Sequence, residues 1–250
     1  MDIFDLCDCL EDDSIDMILC DLPYGITACE WDTVIPLDDM WECFKRVIKP
    51  RGAIVLTASG KFTYQLAMSN FEWFKYEWVW DKGHITQPFS AYNRPLPQHE
   101  SILIFADGQT TYNPQMTKGK AYNMRGVGSS EVWGKRHTKV NYGAERFPTT
   151  LLSLHKSTFA SKQHPTQKPV ALFEYLIRTY TQPGETVFDP CVGSGTTALA
   201  ARNTGRNYIV GDSSDEYVQI ARNRLALPYT LPMFTETHTE PKPAQMALEL

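Results

Sequence analysis

Two short stretches of the sequence bring together residue types that can do chemistry. Asp21-Leu22-Pro23-Tyr24 sets a carboxylate, a main-chain carbonyl and an aromatic ring around a proline, directly after the apolar run Met17-Ile18-Leu19-Cys20. The carboxylate and carbonyl can accept both hydrogens of an amino group while the ring stacks on the flat base that carries it. Taken alone, the tetrapeptide also reads as an ordinary proline turn after a strand. The second stretch, Phe188-Asp189-Pro190-Cys191-Val192-Gly193-Ser194-Gly195-Thr196-Thr197, lies between a strand-like and a helix-like segment. Gly193 and Gly195 let a ligand approach the backbone closely, and the helix start offers unpaired amides to a carboxylate or phosphate. Asp212 closes the next strand, where an acid can accept hydrogen bonds from ribose hydroxyls, with helix capping as its structural alternative. The spacing Gly193-x-Gly195-x-x-Ala198 also fits a relaxed dinucleotide fingerprint, so an NAD-linked oxidoreductase competes at this point. Hydride transfer has no need of an amino-group grip, which favours the first reading.

The elements that must position these residues follow from periodicity. A short buried strand over Met17–Cys20 leads into the Asp21 loop. Helical spacing over Leu37–Ile48 ends at Pro50-Arg51-Gly52, before a strand over Ala53–Thr57. A helix over Lys61–Ser69 and strands over Trp73–Trp80 and Ile102–Phe105 follow. From Asp107 to Lys162 the apolar pattern breaks up, so this stretch is expected to be inserted rather than core-forming. Regularity returns with a helix over Val170–Tyr180, a strand over Thr186–Phe188, a helix over Ser194–Asn203, a strand over Asn207–Val210 and a helix over Ser214–Leu225. Strand–helix–strand repetition is the unit of a parallel sheet. The tail from Pro228 to Leu250, with Pro232, Pro241 and Pro243, is expected to be extended or mobile.

The formal net charge of −5 argues against bulk electrostatic coating of nucleic acid. Its distribution is uneven. Residues 82–168 hold twelve Lys and Arg against four Asp and Glu, a balance of +8, while the remainder holds twelve against twenty-five, or −13. Tyr92, Tyr112, Tyr122, Trp133, Tyr142 and Phe147 lie among these cations, and rings interleaved with cations suit sugar-phosphate and base contacts; a solvated loop region is the alternative. The six cysteines, Cys7, Cys9, Cys20, Cys29, Cys43 and Cys191, show no repeated C-x-x-C spacing. Reduced, packed thiols and no metal site are therefore expected. No apolar run of about 18 residues occurs, and Met1–Asp16 is acidic where a signal peptide is basic and then apolar. A cytoplasmic protein without a membrane partner is expected.

Together the motifs resemble those of the permuted, β-type DNA amino-methyltransferases, over about Asp2 to Leu225. Asp21-Leu22-Pro23-Tyr24 is similar to their D-P-P-Y catalytic motif, and Asp189 to Thr197 to their D-P-F-x-G-S-G-T-T cofactor motif. His164-Pro165-Thr166-Gln167-Lys168-Pro169 is similar to the H-P-T-Q-K-P segment of that group. Leu22 stands where the family has its first proline, and Cys191 where it has phenylalanine. The order, with catalysis before cofactor binding, separates the chain from protein glutamine methyltransferases.

The resemblance implies a doubly wound, mostly parallel α/β sheet of the class I, Rossmann-like type. It divides the chain into a catalytic half (1–106), a target-recognition insertion (107–162), a cofactor-binding half (163–227) and the tail (228–250). It implies S-adenosylmethionine as cofactor, bound by Asp189, Pro190, Gly193, Ser194, Gly195, Thr196, Thr197 and Asp212, with Lys168 at the cofactor carboxylate and Asp2 at its adenine. Asp21, Leu22, Pro23 and Tyr24 are the implied catalytic residues. The activity implied is transfer of a methyl group to N6 of a flipped-out adenine in DNA, with Asp21 favouring adenine over the N4-cytosine alternative. A DNA-binding protein that has lost catalysis through Leu22 or Cys191 is a third reading. Lys118, Lys120, Arg125, Lys135, Arg136 and Lys139 are the leading candidates for DNA contact. A homodimer is left open.

Overall fold

The computed structural model of the chain describes residues 1–25, 32–120, 129–130, 134–135, 144–154 and 167–226. Helix α1 (Ile3–Asp8) opens the chain, followed by β1 (Ile15–Cys20), α2 (Leu37–Val47), β2 (Ile48–Ala58), α3 (Lys61–Ser69) and β3 (Phe74–Asp81). A single turn of 3₁₀ helix at Pro88–Ser90 precedes β4 (His99–Phe105). Four two-residue strands come next: β5 (Thr117–Lys118), β6 (Ser129–Ser130), β7 (Gly134–Lys135) and β8 (Glu145–Arg146). The series closes with β9 (Leu151–Ser153), α4 (Val170–Tyr180), β10 (Thr186–Asp189), α5 (Thr196–Asn203), β11 (Asn207–Val210) and α6 (Asp215–Ala226).

Among the described residues, seven strands form one sheet in the order β11-β10-β1-β2-β4-β3-β9, and of these only β4 runs against its neighbours. The chain is an α/β protein with a mostly parallel, doubly wound sheet, as the resemblance implies and the strand–helix–strand periodicity is consistent with. Met17-Ile18-Leu19-Cys20 is apolar at every position because β1 is covered on both faces. Met17 and Leu19 pack with Val55, Ile104, Leu172, Leu176 and Ala200, beneath α4 and α5. Ile18 and Cys20 point the other way, to Leu56, Phe105, Met40, Phe44 and Leu66, beneath α2 and α3. Asp16 is the polar exception in β1. Its carboxylate takes Lys49 at 2.7 Å and the Thr186 amide at 2.9 Å, which ties β1 to both flanking strands.

The elements depart from the sequence expectations in four places. Strand β2 begins at Ile48 and runs through Pro50, where the helix was expected to stop and a loop to follow. This is possible because the pairing with β1 shifts register between Ile15 and Met17, so the proline falls where no regular ladder bond is required. Helix α1 occupies a stretch without a predicted element, and Asp2 caps it by accepting from the Phe4 and Asp5 amides, both at 2.9 Å. The segment read as inserted returns to the main sheet: β9 pairs with β3, and Asn113 bonds to the carbonyls of Arg178 and Thr181 at the end of α4. Only Leu152 of β9 is buried, which is too little for an alternating signal. Finally, Cys7 and Cys43 form a disulfide with Cα atoms 6.1 Å apart, correcting the expectation that all cysteines are reduced. Packing of α1 on α2 brings the two together, a contact that spacing along the chain cannot reveal. No described helix is long and apolar enough to cross a membrane.

Candidate active site

Strands β10 and β1 lie side by side and parallel, with Met17 opposite Val187 and Ile18 opposite Phe188, so their carboxyl ends meet at one edge of the sheet. The helices beyond them diverge, α5 to one face and α2 to the other. That divergence leaves a crevice at the switch point, where open α/β sheets bind ligands. A cavity of about 560 Å³ fills it, within the range of small-molecule sites. Asp21, Leu22, Pro23 and Tyr24 line it, as do Asp189, Pro190, Gly193, Ser194, Thr196, Thr197 and Asp212. The two motifs read separately in the sequence therefore face one space.

On the catalytic side, Asp21 is held by a dense set of donors. Its Oδ1 accepts from the Tyr24 hydroxyl at 2.7 Å, from the Thr57 hydroxyl and from Lys168 Nζ at 2.6 Å. Its Oδ2 takes Lys168 at 2.6 Å. The Tyr24 hydroxyl lies 2.8 Å from Thr57 Oγ1, and Phe62 stacks on the Tyr24 ring with centroids 5.3 Å apart. Burial pushes the Tyr24 phenol well above its ordinary range, and the neighbouring Asp21 charge adds to it, so the ring stays neutral. Burial works against the charge on Lys168, but the anions around it, Asp21 foremost, outweigh that and hold the ammonium protonated well beyond the usual lysine range. Lys168, expected at the cofactor carboxylate, thus has its ammonium on Asp21 instead.

On the other side, the turn is rigid and open to the cavity. Gly193 has φ +50° and Gly195 +86°, both left-handed. A Cβ on Gly193 would meet no atom within 4 Å, so space for a ligand lies against it. Asp212 accepts from the Gly193 amide and from the Ser214 amide, both at 2.9 Å, which braces the turn from the end of β11. Asp189 accepts from the Cys191 amide at 3.0 Å and from the Thr197 hydroxyl, tying the strand end to the start of α5. Helix α5 opens on Gly195 without a side-chain cap, so its first amides are available to an anion. Ser194 is engaged from behind by Arg224 at 2.9 Å. Asp2 lines the same cavity while its carboxylate serves its own helix.

Thr57, Glu100 and Lys82 were not anticipated. Glu100 bonds Lys82 at 3.1 Å and lies 3.2 Å from Lys168, which places a second carboxylate behind the first. A carboxylate just ahead of the apolar run Ile102–Phe105 was the available signal. Of the DNA-contact candidates, Lys118 and Lys120 are exposed, and Lys135 lies in β7. Arg125, Arg136 and Lys139, the His164-Pro165-Thr166 part of the third motif, Tyr122, Trp133, Tyr142 and the tail lie outside the described residues.

Comparison with known proteins agrees with this architecture. The sequence profile of a DNA methylase family matches residues 15–223. The Type II methyltransferase M.HpaI of Haemophilus parainfluenzae is 29% identical over 237 residues, covering 86% of this chain and 69% of the relative. The Type II methyltransferase M2.DpnII of Streptococcus pneumoniae is 27% identical over 252 residues, covering 90% and 87%. The crystal structure of the M1.HpyAVI–SAM complex superposes with a TM-score of 0.61 at 24% identity, covering 91% of this chain and 97% of that one. The cytosine-N4-specific PvuII DNA methyltransferase gives 0.67 at 18% identity, covering 90% and 84%. These two structures share the fold.

Proposed function

Since the chain belongs to the DNA methylase family, we propose that it transfers a methyl group from S-adenosylmethionine to the N6 amino nitrogen of an adenine turned out of duplex DNA, in the cytoplasm. The observation that carries this reading is the single cavity shared by Asp21 and Gly193. The residues there fit the cofactor: bare amides at the start of α5 suit its carboxylate, Asp212 its ribose, and the open space at Gly193 its close approach. When bound, S-adenosylmethionine supplies an electrophilic methyl group.

The chain's own residues do the rest. Adenine's amino lone pair is delocalised into the ring and becomes nucleophilic when both hydrogens are engaged. Asp21 Oδ2 and the Leu22 carbonyl accept them, because Oδ1 is already taken by the Tyr24 and Thr57 hydroxyls. Pro23 fixes the backbone between carboxylate and ring. Tyr24 stacks on the extruded base and offsets part of the few kcal/mol lost on unstacking. Positioning and electrostatics suffice, without a covalent cysteine. Lys118 and Lys120, with Arg125, Lys135, Arg136 and Lys139, contact phosphate.

The decisive experiment incubates the protein with labelled S-adenosylmethionine and unmethylated DNA, then maps modified bases by sequencing. Label is expected at N6 of adenine in a fixed sequence context. Asp21→Ala is expected to lower kcat by about 10²-fold or more. Label on cytosine N4 would overturn the base assignment, and calorimetric binding of NAD in place of S-adenosylmethionine would overturn the whole reading.

A further inference from the structure

Lys168 is one ammonium between two carboxylates. It donates to both oxygens of Asp21 at 2.6 Å, yet lies only 3.2 Å from Glu100 Oε2. That oxygen is buried and receives no hydrogen bond, so the approach of Lys168 is within ion-pair reach but outside bonding geometry. The other Glu100 oxygen is anchored at 3.1 Å by Lys82, whose side chain is 5% exposed. A buried carboxylate oxygen lacking a donor is costly. Here it is also a second seat, one short movement away from the first.

The chemistry gives that seat a purpose. While Lys168 spans Asp21, it competes with the incoming amino group for the lone pairs of Oδ2. Methyl transfer also places positive charge on the amino nitrogen, and an ammonium on the same carboxylate repels it. Resting on the amino-methylation reading above, we propose that Lys168 moves from Asp21 to Glu100 as the target base enters, and that Glu100, held by Lys82, is the positioning residue that draws it away. No proton changes hands: the ammonium leaves one ion pair and completes another. Burial raises the Glu100 carboxyl, but Lys168 and Lys82 together hold it below its ordinary value, so this second seat is anionic at neutral pH. Glu100 touches neither base nor cofactor in this scheme and acts through Lys168.

A double-mutant cycle tests the idea with full-length protein, measuring steady-state methyl transfer to DNA, calorimetric binding of S-adenosylmethionine and thermal melting. Glu100→Gln strands the ammonium on Asp21 and is expected to lower kcat by about 10–10²-fold with cofactor affinity little changed. Adding Lys168→Gln to that variant removes the stranded charge, and the double mutant is expected to be roughly fivefold faster than Glu100→Gln alone. A purely structural role for Glu100 makes the second substitution neutral or harmful. The proposal is overturned if Glu100→Gln is as fast as wild type, or if the double mutant is no faster than the single. Should Glu100→Gln melt too low to assay, Glu100→Asp with and without Lys168→Gln gives the same comparison, with the same recovery expected and its absence equally fatal. Wild-type protein that binds S-adenosylmethionine but methylates no amino group would sink the functional reading and this proposal together, whereas normal wild-type methylation without recovery sinks this proposal alone.

Discussion

Asp189 has a 2% exposed side chain at the end of β10, and burial pushes its carboxyl up to about 7 from an ordinary value of 3.8, even though Thr197 and the Cys191 amide donate to it. A carboxyl whose folded value is raised favours the folded state below about pH 4, and that contribution is lost as pH climbs to about 7. The cofactor-free protein is therefore expected to lose melting temperature across that window by more than its Asp189→Asn variant does. Parallel slopes for the two proteins in a pH-resolved melting series would refute this. At the same scale, Asp21, Tyr24 and Lys168 were legible because each sits in a dense local motif. Their mutual bonding was not, since Lys168 and Asp21 stand 147 residues apart and nothing local pairs a lysine with one carboxylate rather than another. Thr57 was invisible for a simpler reason: a threonine ending an apolar strand is unremarkable until the chain folds it onto Asp21.

The two glycines of the cofactor turn separate packing from binding at the scale of elements. A Cβ on Gly195 would stand 2.8 Å from the Ala221 Cβ, so α5 and α6 approach each other through the space that glycine leaves. With φ at +86°, Gly195→Ala is expected to cost about 2–4 kcal/mol, seen as a melting temperature lower by roughly 5–15 °C. Gly193→Ala carries backbone strain of about 1–2 kcal/mol without a clash, and is expected to weaken S-adenosylmethionine binding more than it lowers melting temperature. Calorimetry beside a melting curve distinguishes the two. Helices α2 and α4 were readable within a residue because each buries a continuous face, and β1 within two because it is an unbroken apolar run. Strand β9 and helix α1 were not, since a strand of three residues and a helix of six bury too little to leave a period.

The two halves of the molecule share their central strand pair, β1 against β10, and neither owns a complete core. A fragment spanning residues 1–110 lacks α4, α5 and β10, and is expected to show no cooperative unfolding transition by circular dichroism. The basic middle of the chain has its own expectation. If Lys118 and Lys120 meet phosphate as proposed, replacing both with alanine should flatten the dependence of log K on log salt by about 2. An unchanged slope would remove them from the interface. The seam between β1 and β10 also bears on how the protein is made. The Asp16 carboxylate accepts from an amide 170 residues further along. During translation β1 therefore leaves the ribosome without its partner and waits roughly 10–30 s for it. For that interval the Met17 and Leu19 face of the strand, which packs beneath α4 and α5, is unshielded in the nascent polypeptide, while the Ile18 and Cys20 face already has α2 and α3 to cover it.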